Sequence, residues 1–128
     1  MRVLVVDDER PCLDELVYLL SKRQGINVVG AFTSPAEALE VLADLKPDAA
    51  FLDLSMPHMN GAELAERMLT LMPCLKIVFV TAYGKELQKL KDYSAVGSIL
   101  KPVSEAKLLK VMQRLQTEKN ERRNHNET

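Results

Sequence analysis

Five polar residues of kinds that can do chemistry each stand close after a short apolar run: Asp7 and Asp8 after Val3 to Val6, Asp53 after Ala49 to Leu52, Thr81 after Ile77 to Val80, and Lys101 after Ile99 and Leu100. Clustered carboxylates repel one another and attract a hard divalent cation, while a lysine and a threonine opposite them suit an incoming phosphoryl group. Such chemistry requires the fold to gather residues scattered from position 7 to position 101. An open parallel α/β sheet does this, because its ligand crevice lies outside the carboxyl ends of the strands.

Taken singly, each residue also has a structural reading. Asp7 and Asp8 suit the unpaired N–H groups and positive dipole end of a following helix. Asp53 reads as a loop or cap residue, yet it precedes the Asn60 cap by Leu54 to Met59, a segment with Pro57 that has the look of a shaped loop. Thr81 and Lys101 read as polar strand ends. Their joint occurrence after four different strands favours one shared site. His58 reads as an exposed loop residue rather than a base or transition-metal ligand, and Met56, Met59, Met68 and Met72 as packing.

The elements that must position these groups follow from periodicity. Val3 to Val6, Val28 to Phe32, Ala49 to Leu52, Ile77 to Val80 and Ser98 to Leu100 read as strands separated by helix-period stretches. Several runs are continuously apolar, as expected of a parallel sheet covered on both faces. The first helix carries Leu13, Leu16, Val17 and Leu20, with Pro11 near its start and Gly25 beyond its end. The second opens with Ser34, Pro35 and Glu37 and runs through Leu39, Leu42 and Leu45 to Pro47. The third opens with Asn60 and Glu63 and carries Leu64, Met68, Leu71 and Met72 to Pro73. A fourth, over residues 85 to 93, has little but Leu87 and Leu90 as apolar anchors and reads as short or mobile. The last starts at Ser104 and buries Leu108, Val111, Met112 and Leu115. Residues 116–128 hold no aliphatic or aromatic side chain, so the chain divides into a domain over 1–115 and a polar tail, a frayed helix end or linker.

At 128 residues and 47% hydrophobic content, the chain suits one domain with a real core. Seventeen basic against eighteen acidic residues leave a net charge of -1, which gives no bulk reason to bind nucleic acid or an anionic membrane. No apolar run approaches spanning length and no signal-type segment precedes the first strand, so the expectation is a cytoplasmic protein with no membrane contact. Cys12 and Cys74 lack metal-type spacing and are expected to be free thiols.

Asp7 and Asp8, the segment Asp53-Leu-Ser-Met-Pro-His-Met-Asn-Gly61, Thr81-Ala82 and Lys101-Pro102 together resemble the receiver domain of bacterial two-component response regulators, over Arg2 to about Leu115. The motifs are specific in combination, whereas a bare Asp-Asp or Lys-Pro is weak. The resemblance implies a flavodoxin-like (βα)5 doubly wound parallel sheet with strand order 2-1-3-4-5. It implies a signalling switch rather than a metabolic enzyme: Asp53 accepts a phosphoryl group from a sensor histidine kinase or phosphotransfer protein, and the site also phosphorylates and dephosphorylates itself. In that scheme Asp8, Asp53 and the backbone carbonyl of Ser55 hold Mg²⁺, with Asp7 assisting through water. Lys101, Thr81 and the Ala82 N–H receive the phosphoryl oxygens. A kinase docks near the first helix, and two copies pair through the fourth helix, fifth strand and fifth helix. No element for direct nucleic acid contact is visible.

Two features depart from, or refine, the pattern. Receivers commonly carry a tyrosine or phenylalanine three residues before the lysine, whose rotation follows the threonine. Ser98 stands there, so transmission from Thr81 needs another reporter, with Tyr83 and Tyr93 as candidates. The same substitution opens an alternative, a degenerate receiver acting as a constitutive protein-interaction module. Ser55 and Tyr83 resemble positions flanking the water that removes the phosphoryl group, against a reading as plain surface variation. A flavodoxin-like cofactor module is disfavoured, because Asp7-Asp8-Glu9 is acidic and without glycine where a phosphate-cradling loop would lie. Ile77 to Tyr83, with the Asp-Asp-Glu opening and Phe51-Leu-Asp53, resembles receivers attached to LytTR-type DNA-binding domains, which implies transcription control.

Overall fold

A computed structural model describes residues 1–85 and 95–126, with side chains described as far as residue 117. The elements run β1 (Arg2–Val6), α1 (Arg10–Ser21), β2 (Asn27–Phe32), α2 (Pro35–Leu45), β3 (Ala49–Asp53), α3 (Gly61–Leu71), β4 (Lys76–Thr81), β5 (Ala95–Leu100) and a C-terminal helix (Glu105–Asn126). The five strands form one sheet in the order β2-β1-β3-β4-β5, and every pairing is parallel. This is the doubly wound arrangement expected from the sequence.

Burial explains the continuous apolar runs. Alternate residues of each central strand face opposite sides of the sheet, and both sides are covered. Val3, Val5, Phe51, Val78, Val80 and Ile99 pack against Leu13, Leu16 and Leu20 of α1 and Leu108, Val111, Met112 and Leu115 of the C-terminal helix. On the other side Leu4, Val6, Leu52 and Phe79 meet Ala38 and Leu42 of α2 and Leu64, Ala65 and Met68 of α3. β1 pairs with β2 on one edge and β3 on the other, so connections leave in opposite directions here and open a crevice at the strands' carboxyl ends.

Local signals end the helices as their chemistry requires. The Ser34 hydroxyl accepts the Glu37 N–H at 3.3 Å, and Asn60 Oδ1 accepts the Glu63 N–H at 2.9 Å. α2 stops at Lys46, whose φ of 48° is left-handed and directs its N–H to the Leu42 carbonyl. Gly25, beyond α1, has φ of 84°, a conformation that glycine adopts without a Cβ clash.

One boundary differs from the sequence expectation. β5 begins at Ala95 rather than Ser98, with a register shift opposite Ile77 and Val78. Its glycine and half-buried edge residues carry too weak an apolar signal to mark a start. The C-terminal helix continues through the polar segment to Asn126, and Leu115 is its last buried residue among those whose side chains are described. Beyond Lys85, the expected fourth helix falls outside the described residues, as does Tyr93. Cys12 and Cys74 form no disulfide. Among the described residues no helix is long and apolar enough to cross a membrane.

Gly61, the first residue of α3, lies against the backbone that carries Asp53. Its N–H donates to the Leu54 carbonyl at 3.0 Å, and a Cβ here would collide with the Asp53 carbonyl and lie 2.9 Å from Leu54 Cα. Both neighbours are backbone and cannot swing aside. Gly61→Ala is therefore expected to lower stability by about 1–3 kcal/mol in urea unfolding; an unchanged midpoint would show that α3 can shift freely on β3.

Candidate functional site

Ladder hydrogen bonds bring the reactive residues to one level. Val6 and Leu52 are in register, which puts Asp7, just past β1, beside Asp53 at the end of β3. The Asp7 N–H donates to the Phe32 carbonyl (3.1 Å), Leu54 N–H to Val80 (3.2 Å) and Lys101 N–H to Thr81 (2.7 Å), so each strand end is tied to the next. One carboxylate oxygen from each of Asp7, Asp8 and Asp53 lies within 4.8 Å of the others.

Asp7, Asp53 and Thr81 are buried, at 2%, 3% and 0% exposure. Burying charge is costly unless it is paired and hydrogen-bonded, and the two aspartates meet this in the same way. Asp7 Oδ1 accepts the Glu9 N–H at 2.9 Å, and Asp53 Oδ1 accepts the Ser55 N–H at 3.1 Å. Their remaining oxygens share the Lys101 ammonium, at 2.9 Å from Asp7 Oδ2 and 3.5 Å from Asp53 Oδ2. Asp8 Oδ1 is buried without a hydrogen-bond partner.

One ammonium among three carboxylates leaves an excess of negative charge. Burial, and then the charge of Asp7, push the Asp53 carboxyl up to about 7, against the opposing pull of Lys101 and the Ser55 N–H. For Lys101, burial favours the neutral amine, but its hydrogen bond and attraction to Asp7, followed by Asp53, outweigh this and raise it above the usual amine range. The donor set is all oxygen and anionic, and one oxygen is orphaned. These residues fit a hard divalent cation such as Mg²⁺.

Thr81 closes β4 beside the cluster, and its Oγ1 accepts the Tyr83 N–H at 3.2 Å, which leaves the hydroxyl proton free to be donated. Ala82 and Tyr83 are exposed. Ser98 is not part of the cluster: it is exposed on the edge strand, in register with Phe79. His58 is exposed in the loop with a left-handed φ of 70°, and Met56, Met59, Met68 and Met72 pack in or against the core. The helix-cap reading of Asp7 is partly realised in its bond to Glu9 N–H, while Glu9, the residue that caps α1, makes no side-chain cap bond.

Sequence reasoning missed two neighbours. Cys12 lines a cavity of about 340 Å³ with Asp7, Leu16, Lys101 and Pro102. Its thiol donates to Glu9 Oε2 at 3.4 Å, and burial raises its pKa. Lys107, six positions after Lys101, donates to the Leu100 and Pro102 carbonyls. Its place in the first turn of the last helix was the available signal.

The chain matches the family model described as "Response regulator receiver domain" over residues 3–113. It is 38% identical over 118 residues to "Sensory transduction protein LytT" of Enterococcus faecalis, covering 92% of this chain and 49% of that protein. It is 34% identical over 119 residues to "Transcriptional regulatory protein BtsR" of Escherichia coli, covering 93% and 49%. The chain thus spans about half the length of the curated relatives it matches. Among solved structures, the response regulatory domain of MrkE from Klebsiella pneumoniae superposes with a TM-score of 0.81 at 32% identity, covering 91% of this chain and 96% of that one. The isolated REC domain of RcsB from Salmonella enterica serovar Typhimurium, with phosphomimetic BeF3-, gives 0.83 at 27% identity, covering 91% and 88%.

A carboxyl that titrates near 7 when folded and near 4 when unfolded makes the folded state hold the extra proton between those values. Its stabilising contribution is complete below about pH 4 and is lost as pH rises through 7. Without divalent cations, Asp53→Asn should therefore melt higher than wild type at pH 8, with the gap narrowing towards pH 5. Equal melting temperatures at pH 8 would contradict the strained charge of Asp53.

Proposed function

The chain belongs to the response regulator receiver domain family, and from that premise we propose that it is a phosphorylation-dependent switch of a two-component system, accepting a phosphoryl group on Asp53 from a sensor histidine kinase or phosphotransfer protein. The observation that carries this reading is the buried pair Asp7 and Asp53 sharing Lys101 beside an orphaned Asp8 oxygen. No simple structural role accounts for so much anionic charge at one end of the sheet.

Residues Asp8, Asp53 and the Ser55 backbone carbonyl would hold Mg²⁺, with Asp7 acting through water. When bound, the ion screens the negative charge of carboxylate and phosphoryl group and orients them for in-line transfer. An Asp53 carboxylate oxygen attacks phosphorus while the bond to the donor breaks. Lys101 exchanges its Asp53 partner for a phosphoryl oxygen, and Thr81 and the Ala82 N–H donate to others. Water attacking the acyl phosphate returns inorganic phosphate and free Asp53, which resets the signal. Ser55 and Tyr83 flank that approach.

Signal output starts at Thr81. Turning its hydroxyl towards a new anion disturbs the acceptor bond from the Tyr83 N–H and biases the segment after β4 between two conformers. With serine at position 98, exposed Tyr83 serves as the reporter. Residues 1–115 form the switch and the polar segment after them is a tail or linker; transcription control fits the description of BtsR. The protein acts in the cytoplasm, docks its kinase near α1 and pairs with a second copy through β5, the C-terminal helix and the segment that the sequence leads one to expect as a fourth helix; this domain itself makes no nucleic acid contact. A constitutive interaction module is the second reading, favoured by the exposed Ser98.

Incubation with acetyl phosphate should add one phosphoryl mass only with Mg²⁺, and Asp53→Asn should remove the adduct. Adduct on that variant would place the acceptor elsewhere, and wild type that binds neither phosphoryl group nor beryllofluoride would favour the constitutive module. In a Mg²⁺ titration, Asp8→Asn should weaken binding roughly tenfold or more, whereas Ser55→Ala, which keeps the backbone carbonyl, should change it little. Equal losses would overturn that ligand set.

A further inference from the structure

Where the Lys101 ammonium stands depends on the backbone beneath it, at the end of β5, which among the described residues is an edge strand of the sheet. The peptide group joining Leu100 to Lys101 is held at both ends. Its N–H donates to the Thr81 carbonyl at 2.7 Å, and its C=O accepts from Lys107 Nζ at 2.9 Å. The same ammonium donates to the Pro102 carbonyl at 3.0 Å. Lys107 therefore clasps the chain on both sides of Lys101.

Lys107 is itself well based. Its N–H donates to Ser104 Oγ at 3.2 Å, and the next residue, Leu108, is 1% exposed in the core. The clasp joins a rigid helix to a segment that would otherwise have free edge carbonyls.

We propose that Lys107 is a positioning residue for the phosphoryl-transfer site, holding the Leu100–Pro102 backbone so that the Lys101 ammonium sits between Asp7 and Asp53. This rests on the switch reading above. Its chemistry is indirect: Lys107 touches neither carboxylate, but small displacements of a charge-stabilising group are expensive in rate. A mere cap for edge carbonyls would affect folding stability and leave transfer untouched.

The test measures the rate of phosphoryl uptake from acetyl phosphate with Mg²⁺, together with Mg²⁺ affinity and melting temperature. Lys107→Met should slow uptake by roughly tenfold, the scale of losing a group that orients a reactive one, while Mg²⁺ affinity stays close to wild type and the melting temperature falls only slightly, because both carbonyls are exposed and can take water instead. Lys107→Arg, which keeps donors for both carbonyls, should restore most of the rate. Lys110→Met, an equal charge loss at an exposed position one turn away, should leave it unchanged. Wild-type uptake by Lys107→Met, an equal slowing by Lys110→Met, failure of Lys107→Arg to rescue, or a parallel fall in Mg²⁺ affinity would each overturn the proposal. Wild type that takes up no phosphoryl group and binds no beryllofluoride would instead bring down the switch reading on which it stands.

Discussion

Two buried carboxylates competing for one ammonium is the constraint around which this molecule is arranged. Asp7 and Asp53 are almost fully removed from water, and each keeps one oxygen on a backbone N–H and the other near Lys101. Burial, and then the neighbouring charge of Asp7, outweigh the pull of Lys101, so Asp53 holds its proton to about pH 7, and an oxygen of Asp8 is left without a partner. The cluster fits a hard divalent cation, and under the proposed function Lys101 takes over the oxygens of an incoming phosphoryl group. Its instability in isolation and its fitness for transfer have the same electrostatic origin.

Such a cluster survives only on a stiff frame. The parallel sheet, covered on both faces, fixes the strand ends through ladder bonds that extend past Val6, Asp53 and Leu100 into the loops. Gly61 lets α3 begin directly against the Asp53 backbone, and Lys107 ties the end of β5 to the C-terminal helix. Rigidity on the Asp53 side contrasts with the Thr81 side, where a single bond from the Tyr83 N–H connects the buried hydroxyl to an exposed aromatic residue. A switch requires that asymmetry: one part that does not move and one whose hydrogen bond can be exchanged.

The family relationship explains the chemistry more fully than the output. The matched relatives are about twice as long as this chain, and Ser98 is exposed where receivers commonly place an aromatic side chain. Thr81 and Tyr83 therefore carry more of the transmission under the proposed function.

Much of this was legible in the residues. Continuous apolar runs marked β1, β3 and β4, and the Ser34 and Asn60 caps marked α2 and α3, because periodicity and capping are local properties of a segment. The types and intervals of Asp7, Asp8, Asp53, Thr81 and Lys101 likewise determined which reagents could meet once a parallel sheet was inferred. Tertiary structure alone decided the rest. The start of β5 depends on pairing with β4, since its own signal is weak. The shifted proton affinity of Asp53, the partnerless Asp8 oxygen, and the clasp of Lys107 on Leu100 and Pro102 depend on distances between groups far apart or unpatterned in the chain. Electrostatic coupling and hydrogen bonding act through separations of a few ångströms in space, and no spacing along a sequence encodes those directly.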